Sequence, residues 1–451
     1  LNTHFSRLIP FLATVSALVV VSVGWSGLQG QEAFPPDGND AGASESSADA
    51  AQLYADLESE ANLYWQRPLG DRFSKMKEDF ESGKLALDRS SELAYLTSLL
   101  EALEISPNSQ MLVFSTTSLQ LRLISPRNPR AVYFNENIHL GFIPGGRIEV
   151  MSMDPQLGGI FYIFDIPRGN DLPRLERADR CMNCHAKKQN GYVPTPVIKS
   201  VLPGPTGGSL DSFRRESSGH AVPLTERFGG WHVTGAEGVK HWGNLIGRQQ
   251  AGEIEMIDNP LGERCDVARY PVATSDLLAH LLHEHQNGFA HRVVEAGYRA
   301  RSYFHQAEAS AVAGGGRLSA PHLLELQRQA KRLVRYLLFA DEVALPKGGV
   351  EGVAQYKEYF LRNRRPAGNG QALKDFDLKT RLFKVRCSYM IYSDAFAGLH
   401  PEFKKIVYRT LAEAISTTRP NPDYGYLSRV EKDAIRVILR DTLDDLPDYW
   451  H

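Results

Sequence analysis

Residues 110–167, QMLVFSTTSLQLRLISPRNPRAVYFNENIHLGFIPGGRIEVMSMDPQLGGIFYIFDIP, hold five short runs rich in β-branched and aromatic side chains: MLVFS, RAVYF, IHLGFI, RIEVMSM and GIFYIFDI. Between them lie Pro126-Arg127-Asn128-Pro129, Asn135–Asn137, Pro144-Gly145-Gly146 and Asp154-Pro155. Strand-forming runs punctuated by turn residues predict an antiparallel meander. On the N-terminal side the pattern is helical, with Leu53, Leu57, Ala61 and Tyr64, then Leu93, Leu96, Leu100 and Leu103, recurring at three- or four-residue spacing. From Ser275 onwards it is helical again. Ser275-Asp276 offers a cap for a helix starting at Leu277, Ala320-Pro321 opens another, and 394–416 and 428–443 read as the last helices. Gly314-Gly315-Gly316 and 346–349 mark linkers between them.

The expected fold is therefore α+β. It comprises a helical segment over 51–108, a β-rich domain over 109–270 and a helical domain over 271–451. Residues 168–270 are rich in Gly and Pro, and so long an irregular stretch predicts a functional loop.

The chain has 451 residues, 42% of them hydrophobic, and a formal charge of −2. That length suits two or three domains. The near-neutral balance supplies no field to hold a polyanion, which argues against nucleic acid as a partner. Residues 1–30 read as an export signal: Arg7 precedes an apolar run from Leu8 to Trp25, and Ser26, Gly27 and Gly30 follow. An uncleaved membrane anchor is the alternative, because about 18 apolar residues can span a bilayer. Either reading puts the rest of the chain outside the cytoplasm, in the periplasm or exported. Residues 31–50, with Pro, Gly, Ser, Ala and acid, read as a disordered tether.

Cys181-Met182-Asn183-Cys184-His185 is a C-x-x-C-H sequence, the attachment pattern of haem c. Two thiols three positions apart can each form a thioether with a porphyrin vinyl group. The adjacent His185 then presents its imidazole to the iron as proximal ligand. A thioredoxin-like pair would need a βαβ context, and a zinc site would need a second ligand pair. Neither is present in the sequence around this one.

For the sixth position, the methionines after the motif are only Met256 and Met390, whereas His220, His232, His241, His280, His283, His285 and His291 all follow it. On a helical projection His285 falls in the middle of the stripe formed by Leu277, Leu278, Leu281, Leu282 and Phe289. It reads as a core histidine, a haem-propionate partner or the distal ligand, with His241 as the second distal candidate. His280, Glu284 and His291 share an adjacent edge, which reads as a solvated face or a metal site. The segment 227–235, RFGGWHVTG, with HWGN at 241–244, offers Trp231 for packing on a porphyrin and Arg227 for a propionate. The same segment also reads as a Gly-rich turn carrying core aromatics. Cys265 and Cys387 are left over, either paired by a disulfide or buried as thiols.

Taken together, CMNCH, RFGGWHVTG, HWGN, Glu284-His285-Gln286 and LKDFDLKTRLFKVRCSYMIYSDAF (373–396) resemble a family of large exported bacterial proteins with a single haem, described as cytochrome c domain-containing. The resemblance implies one covalent haem c and its iron, held through Cys181 and Cys184 with His185 as proximal ligand. It implies no particular substrate. The expected function is electron transfer with redox protein partners. The alternatives are a haem oxidoreductase acting on peroxide or a small nitrogen or sulfur compound, with His220, His241 or Glu226 as its acid/base group, and a haem-based sensor.

Overall fold

A computed structural model describes residues 55–169, 171–187, 190–214, 219–312 and 317–451. The export signal and tether expected over 1–50 lie outside the described residues. No helix among the described residues is long and apolar enough to cross a membrane.

The fold is α+β, with N-terminal helices, antiparallel sheets and a C-terminal helical region. Among the described residues two helices come first, α1 (Arg72–Glu81) and α2 (Glu92–Ala102). Asp71 caps α1 by accepting from the amides of Phe73 and Ser74, and Ser91 caps α2 by accepting from that of Ala94. The helix expected over 53–64 is instead a set of turns where it is described, with Leu63 at φ +44°. Tertiary contacts override the local periodicity there. The Tyr64 hydroxyl donates to the Gly159 carbonyl at 2.7 Å, and the Arg177 guanidinium lies 4.5 Å from its ring centre.

The meander follows in chain order: β1 (Met111–Val113), β2 (Arg130–Phe134), β3 (Ile138–Phe142), β4 (Ile148–Asp154), β5 (Gly158–Phe164) and a short β6 (Glu176–Arg177). These form one six-stranded sheet in sequential order, every pair antiparallel. Alternation along the strands divides the side chains between two cores. Ala131, Tyr133, Leu140, Phe142, Val150, Ile160, Tyr162 and Phe164 pack with Phe73, Phe80, Leu96 and Leu100 of α1 and α2. Met111, Val113, Val132, Phe134, Met151, Met153 and Phe161 join the core of the C-terminal helices.

Residues 168–270 are more ordered than their composition suggests. They carry α3 (Met182–His185) and two hairpins, β7 (Ser200–Pro203) with β8 (Ser209–Arg214) and β9 (Leu245–Gln250) with β10 (Glu253–Asp258). The segment containing Trp231 runs antiparallel beside β1, bridging at Val113, and the His232 amide donates to the Leu112 carbonyl at 2.8 Å. Gly230 makes this close approach possible: its φ is +85°, and an added Cβ would sit 2.7 Å from the Ser115 hydroxyl.

The C-terminal region consists of α4 (Leu277–Val312), α5 (Ala320–Leu337), α6 (Ala354–Phe360), α7 (Asp394–Ala397), α8 (Pro401–Ala414) and α9 (Arg429–Thr442). Asp276 accepts from the Leu278 amide at 3.0 Å at the start of α4, and Ser319 accepts from the His322 amide at the start of α5. The single helix expected over 394–416 is two, because the chain turns at Gly398 and restarts with Pro401 in its first turn.

Candidate haem site

The sheet face that looks toward α4 carries two cross-strand rows of directly opposed residues. One is Phe134, His139, Met151 and Phe161; the other is Val132, Gly141, Glu149 and Ile163. These rows floor a cavity of about 340 Å³, a size typical of small-molecule sites. Cys181, just before α3, with Cys184 and His185 of α3 close one side, Trp231 another, and His283 and Asn287, one turn apart on α4, form the wall above. Thus four of the five sequence-predicted cofactor residues (Cys181, Cys184, His185 and Trp231) meet at one cavity.

His185 is oriented from behind. Its Nδ1 donates to the Thr195 carbonyl at 2.8 Å, which leaves Nε2 as the nitrogen available to a metal. The Asn190 amide braces the same loop, donating to the His185 carbonyl at 2.5 Å and to the Thr195 hydroxyl at 3.1 Å. Phe161 packs against the ring at 4.6 Å between centres. Burial pushes the His185 pKa down to about 4, opposed by the Thr195 bond, so the imidazole is neutral at pH 7 and keeps its lone pair. Cys181 is half-buried and Cys184 exposed, both as thiols here. Burial, with Glu149 adding to it, pushes Cys181 up to about 12.

A half-buried charge pair crosses the floor. Arg130 Nη2 meets Glu149 Oε2 at 2.7 Å, and Glu149 also accepts from Ser118 at 2.5 Å and Gln120 at 2.9 Å. Gly141 lies beneath the guanidinium, and a Cβ at that position would collide with it. Burial works against the Glu149 charge, yet Arg130 and the two side-chain donors hold its carboxyl below the usual carboxylate range.

Arg227 is not at the cavity. It is buried, its Nε donates to the Val222 carbonyl at 2.8 Å, and its Nη2 donates to the His220 carbonyl at 3.1 Å. The cations lining the cavity are Arg130, Arg180 and Lys199. Neither distal candidate lines it either. His285 Nδ1 faces His220 Nδ1 at 2.9 Å and its Nε2 faces Ser388 Oγ at 2.7 Å, with Phe339 stacked on the ring at 4.6 Å. His241 Nδ1 accepts from the Gly243 amide at 2.9 Å, and its ring lies edge-on to Phe228. The acid/base candidates His220 and Glu226 are also absent from the lining.

The edge of His280, Glu284 and His291 is neither a solvated face nor a metal cluster. His280 and Glu284 are buried. His280 Nε2 bonds the His232 carbonyl at 3.0 Å, Glu284 accepts from the Gly219 amide at 3.1 Å, and His291 Nε2 donates to the Pro196 carbonyl at 2.6 Å. Among the described residues no group of three or more His, Cys, Asp or Glu is placed to hold a bare metal ion. Cys265 and Cys387 are both buried thiols, not a disulfide.

The sequence reading missed His139, His283 as part of the site, and Asn287. His139 precedes the C-x-x-C-H motif, whereas the candidate distal histidines of the sequence all follow it. Both His139 ring nitrogens and both Asn287 amide atoms are buried without a hydrogen-bond partner. A larger cleft of about 660 Å³ opens on the far side of Phe134, but its lining is mostly polar and it contains none of the C-x-x-C-H residues. No protein-family model, curated protein or solved structure matches the chain.

Proposed function

We propose that this is an exported c-type cytochrome that carries one covalent haem and transfers electrons to and from protein partners. The observation that carries this reading is His185. It stands beside two cysteines at a cavity mouth, with Nδ1 committed to the Thr195 carbonyl, so Nε2 is left for a metal. The unpartnered imidazole and amide atoms on the far wall fit the same group, since buried polar atoms are costly unless something in the cavity pairs with them.

In this reading Cys181 and Cys184 would hold the haem covalently, His185 would ligate its iron, and Trp231, Phe161 and Met151 would pack against it. Arg180 and Lys199 are the exposed cations placed to meet propionates at the rim. Bound there, haem supplies one-electron exchange between ferric and ferrous iron. The chain's residues exclude water from it, fix its orientation, and leave the Cys184 side exposed for electron entry and exit. The tie to exported single-haem proteins resembling this sequence belongs to the same proposal, as does a periplasmic location with or without an N-terminal tether.

Asn287 favours a second reading, in which the distal side binds a small ligand as an enzyme or sensor would. Carbon monoxide added to the reduced protein separates the two. An unchanged visible spectrum supports the carrier, and a prompt shift of the Soret band supports the ligand-binding protein.

A further inference from the structure

We propose that His139 of β3 is the sixth ligand of the iron, opposite His185; this rests on the haem reading above.

Topology supplies the first argument. His139 sits in the row His139, Met151, Phe161, two strands away from the Phe161 ring that packs on His185. Neighbouring strands are about 4.8 Å apart. His139 and Phe161 are thus separated by about 10 Å across the floor, with Met151 between them. Two imidazoles brought in from the ends of that row can approach a flat group standing over Met151 from opposite sides.

The second argument is hydrogen bonding. His185, His280, His285 and His291 each bond a carbonyl, a hydroxyl or another ring. Among the described histidines, His139 and His232 have both nitrogens shielded without a partner, and of these two only His139 lines the cavity. A neutral imidazole has one donor and one acceptor, and leaving such groups unpaired in an interior costs about 1–3 kcal/mol each. Coordination satisfies the acceptor. The ring is held ready by apolar packing instead, stacked near-parallel on Phe134 at 6.1 Å and edge-on to His283 at 5.1 Å.

The third argument separates His139 from His283. Both line the cavity, edge-on to one another at 5.1 Å. His139 is the one whose two nitrogens are both shielded without a partner, and the one whose cross-strand row ends at the Phe161 ring against His185. Rigid strands supply His139, and a loop bonded at Thr195 and Asn190 supplies His185, an arrangement suited to a site that changes charge without changing shape.

The test uses the full chain matured with haem, read by ferric electron paramagnetic resonance and visible spectra. The wild type is expected to be low-spin with two histidine ligands. His139→Ala is expected to be high-spin, and added imidazole should restore the low-spin spectrum. His283→Ala is expected to stay low-spin. A high-spin wild type, a low-spin His139→Ala, or a high-spin His283→Ala with His139 intact overturns the assignment. If His139→Ala fails to accumulate, His139→Met serves: a Met/His pair should raise the midpoint potential, and an unmoved potential overturns the proposal. Absence of covalent haem from the wild type is a different result, and it removes the haem reading itself.

Discussion

The two faces of the six-stranded sheet come from the same strands and differ in what they bury. The face toward α1 and α2 is filled by Tyr133, Leu140, Phe142, Val150, Ile160, Tyr162 and Phe164, with Phe73 tilted on Tyr162 and stacked on Phe164, and Phe80 edge-on to Phe164. The face toward α4 carries Arg130, His139, Gly141 and Glu149 at the alternate positions, and over them the cavity opens. The first face buries few polar groups, the Tyr133 and Tyr162 hydroxyls being paired and that of Tyr95 not, so dispersion and burial account for most of it. The second gives up packing to hold an ion pair and an unpaired imidazole, which lowers stability unless a bound group completes it. One sheet can thus anchor the fold with one set of residues and build a site with the other, because alternation keeps the two sets apart.

Four variants sharpen that contrast. The largest effect is expected from Cys181→Ala with Cys184→Ala, which should abolish covalent haem, read by haem staining of a denaturing gel. Full staining of that variant would mean attachment elsewhere. On the packed face, Phe164→Ala should lower unfolding free energy by about 3–5 kcal/mol in denaturant titration, while the haem spectrum stays as in the wild type. A spectral change with little loss of stability would erase the distinction between the faces.

Arg130→Ala should destabilise by about 3 kcal/mol through the charge it strands on Glu149. Its pH dependence has a definite sign. In the folded protein the Glu149 carboxyl lies below its ordinary value, so its stabilisation is present above the unfolded pKa and is lost as pH falls through the folded one. Without Arg130 the folded value rises, and the acid limb of the stability profile should move to higher pH. An unmoved acid limb would show that the pair is not coupled to folding. The smallest effect is expected from Gly141→Ala, about 1–3 kcal/mol, because its Cβ must displace the Arg130 guanidinium. Combined with Arg130→Ala, most of that cost should disappear in a double-mutant cycle.

The packed face was legible in the sequence because alternation is a local signal. RAVYF matches β2 residue for residue, and the other four runs match their strands to within two residues at each end. The hairpins β7–β8 and β9–β10 were not legible. Pro203-Gly204-Pro205 and Gly207-Gly208 read as irregular chain although they make the turn between strands. The site was half legible. C-x-x-C-H is a local motif and Trp231 sits in a conspicuous glycine context, but a distal ligand is defined by topology.

Helical projection correctly put His285 among apolar neighbours, yet α4 is buried on more than one side. His283 and His285 are two residues, or about 200°, apart, so they look in opposite directions. Only the fold shows that the His283 side faces the cavity and that the His285 side faces Tyr336 and Phe339. His139 carried a faint signal after all. In Ile138-His139-Leu140-Gly141-Phe142 the two residues that are not large and apolar fall on the same side of the strand, and pairing places Glu149 opposite Gly141 on that side.

On the proposed function, this sheet face would hold one haem c through Cys181, Cys184 and His185. A pyridine haemochrome assay on the exported full-length protein after acid–acetone extraction, with peptide mass analysis of the C-x-x-C-H region, tests this directly. One haem per chain is expected, resistant to extraction and mapping to the peptide containing Cys181 and Cys184. Haem that extracts completely, or a peptide carrying two unmodified thiols from cells competent in haem c attachment, would contradict it.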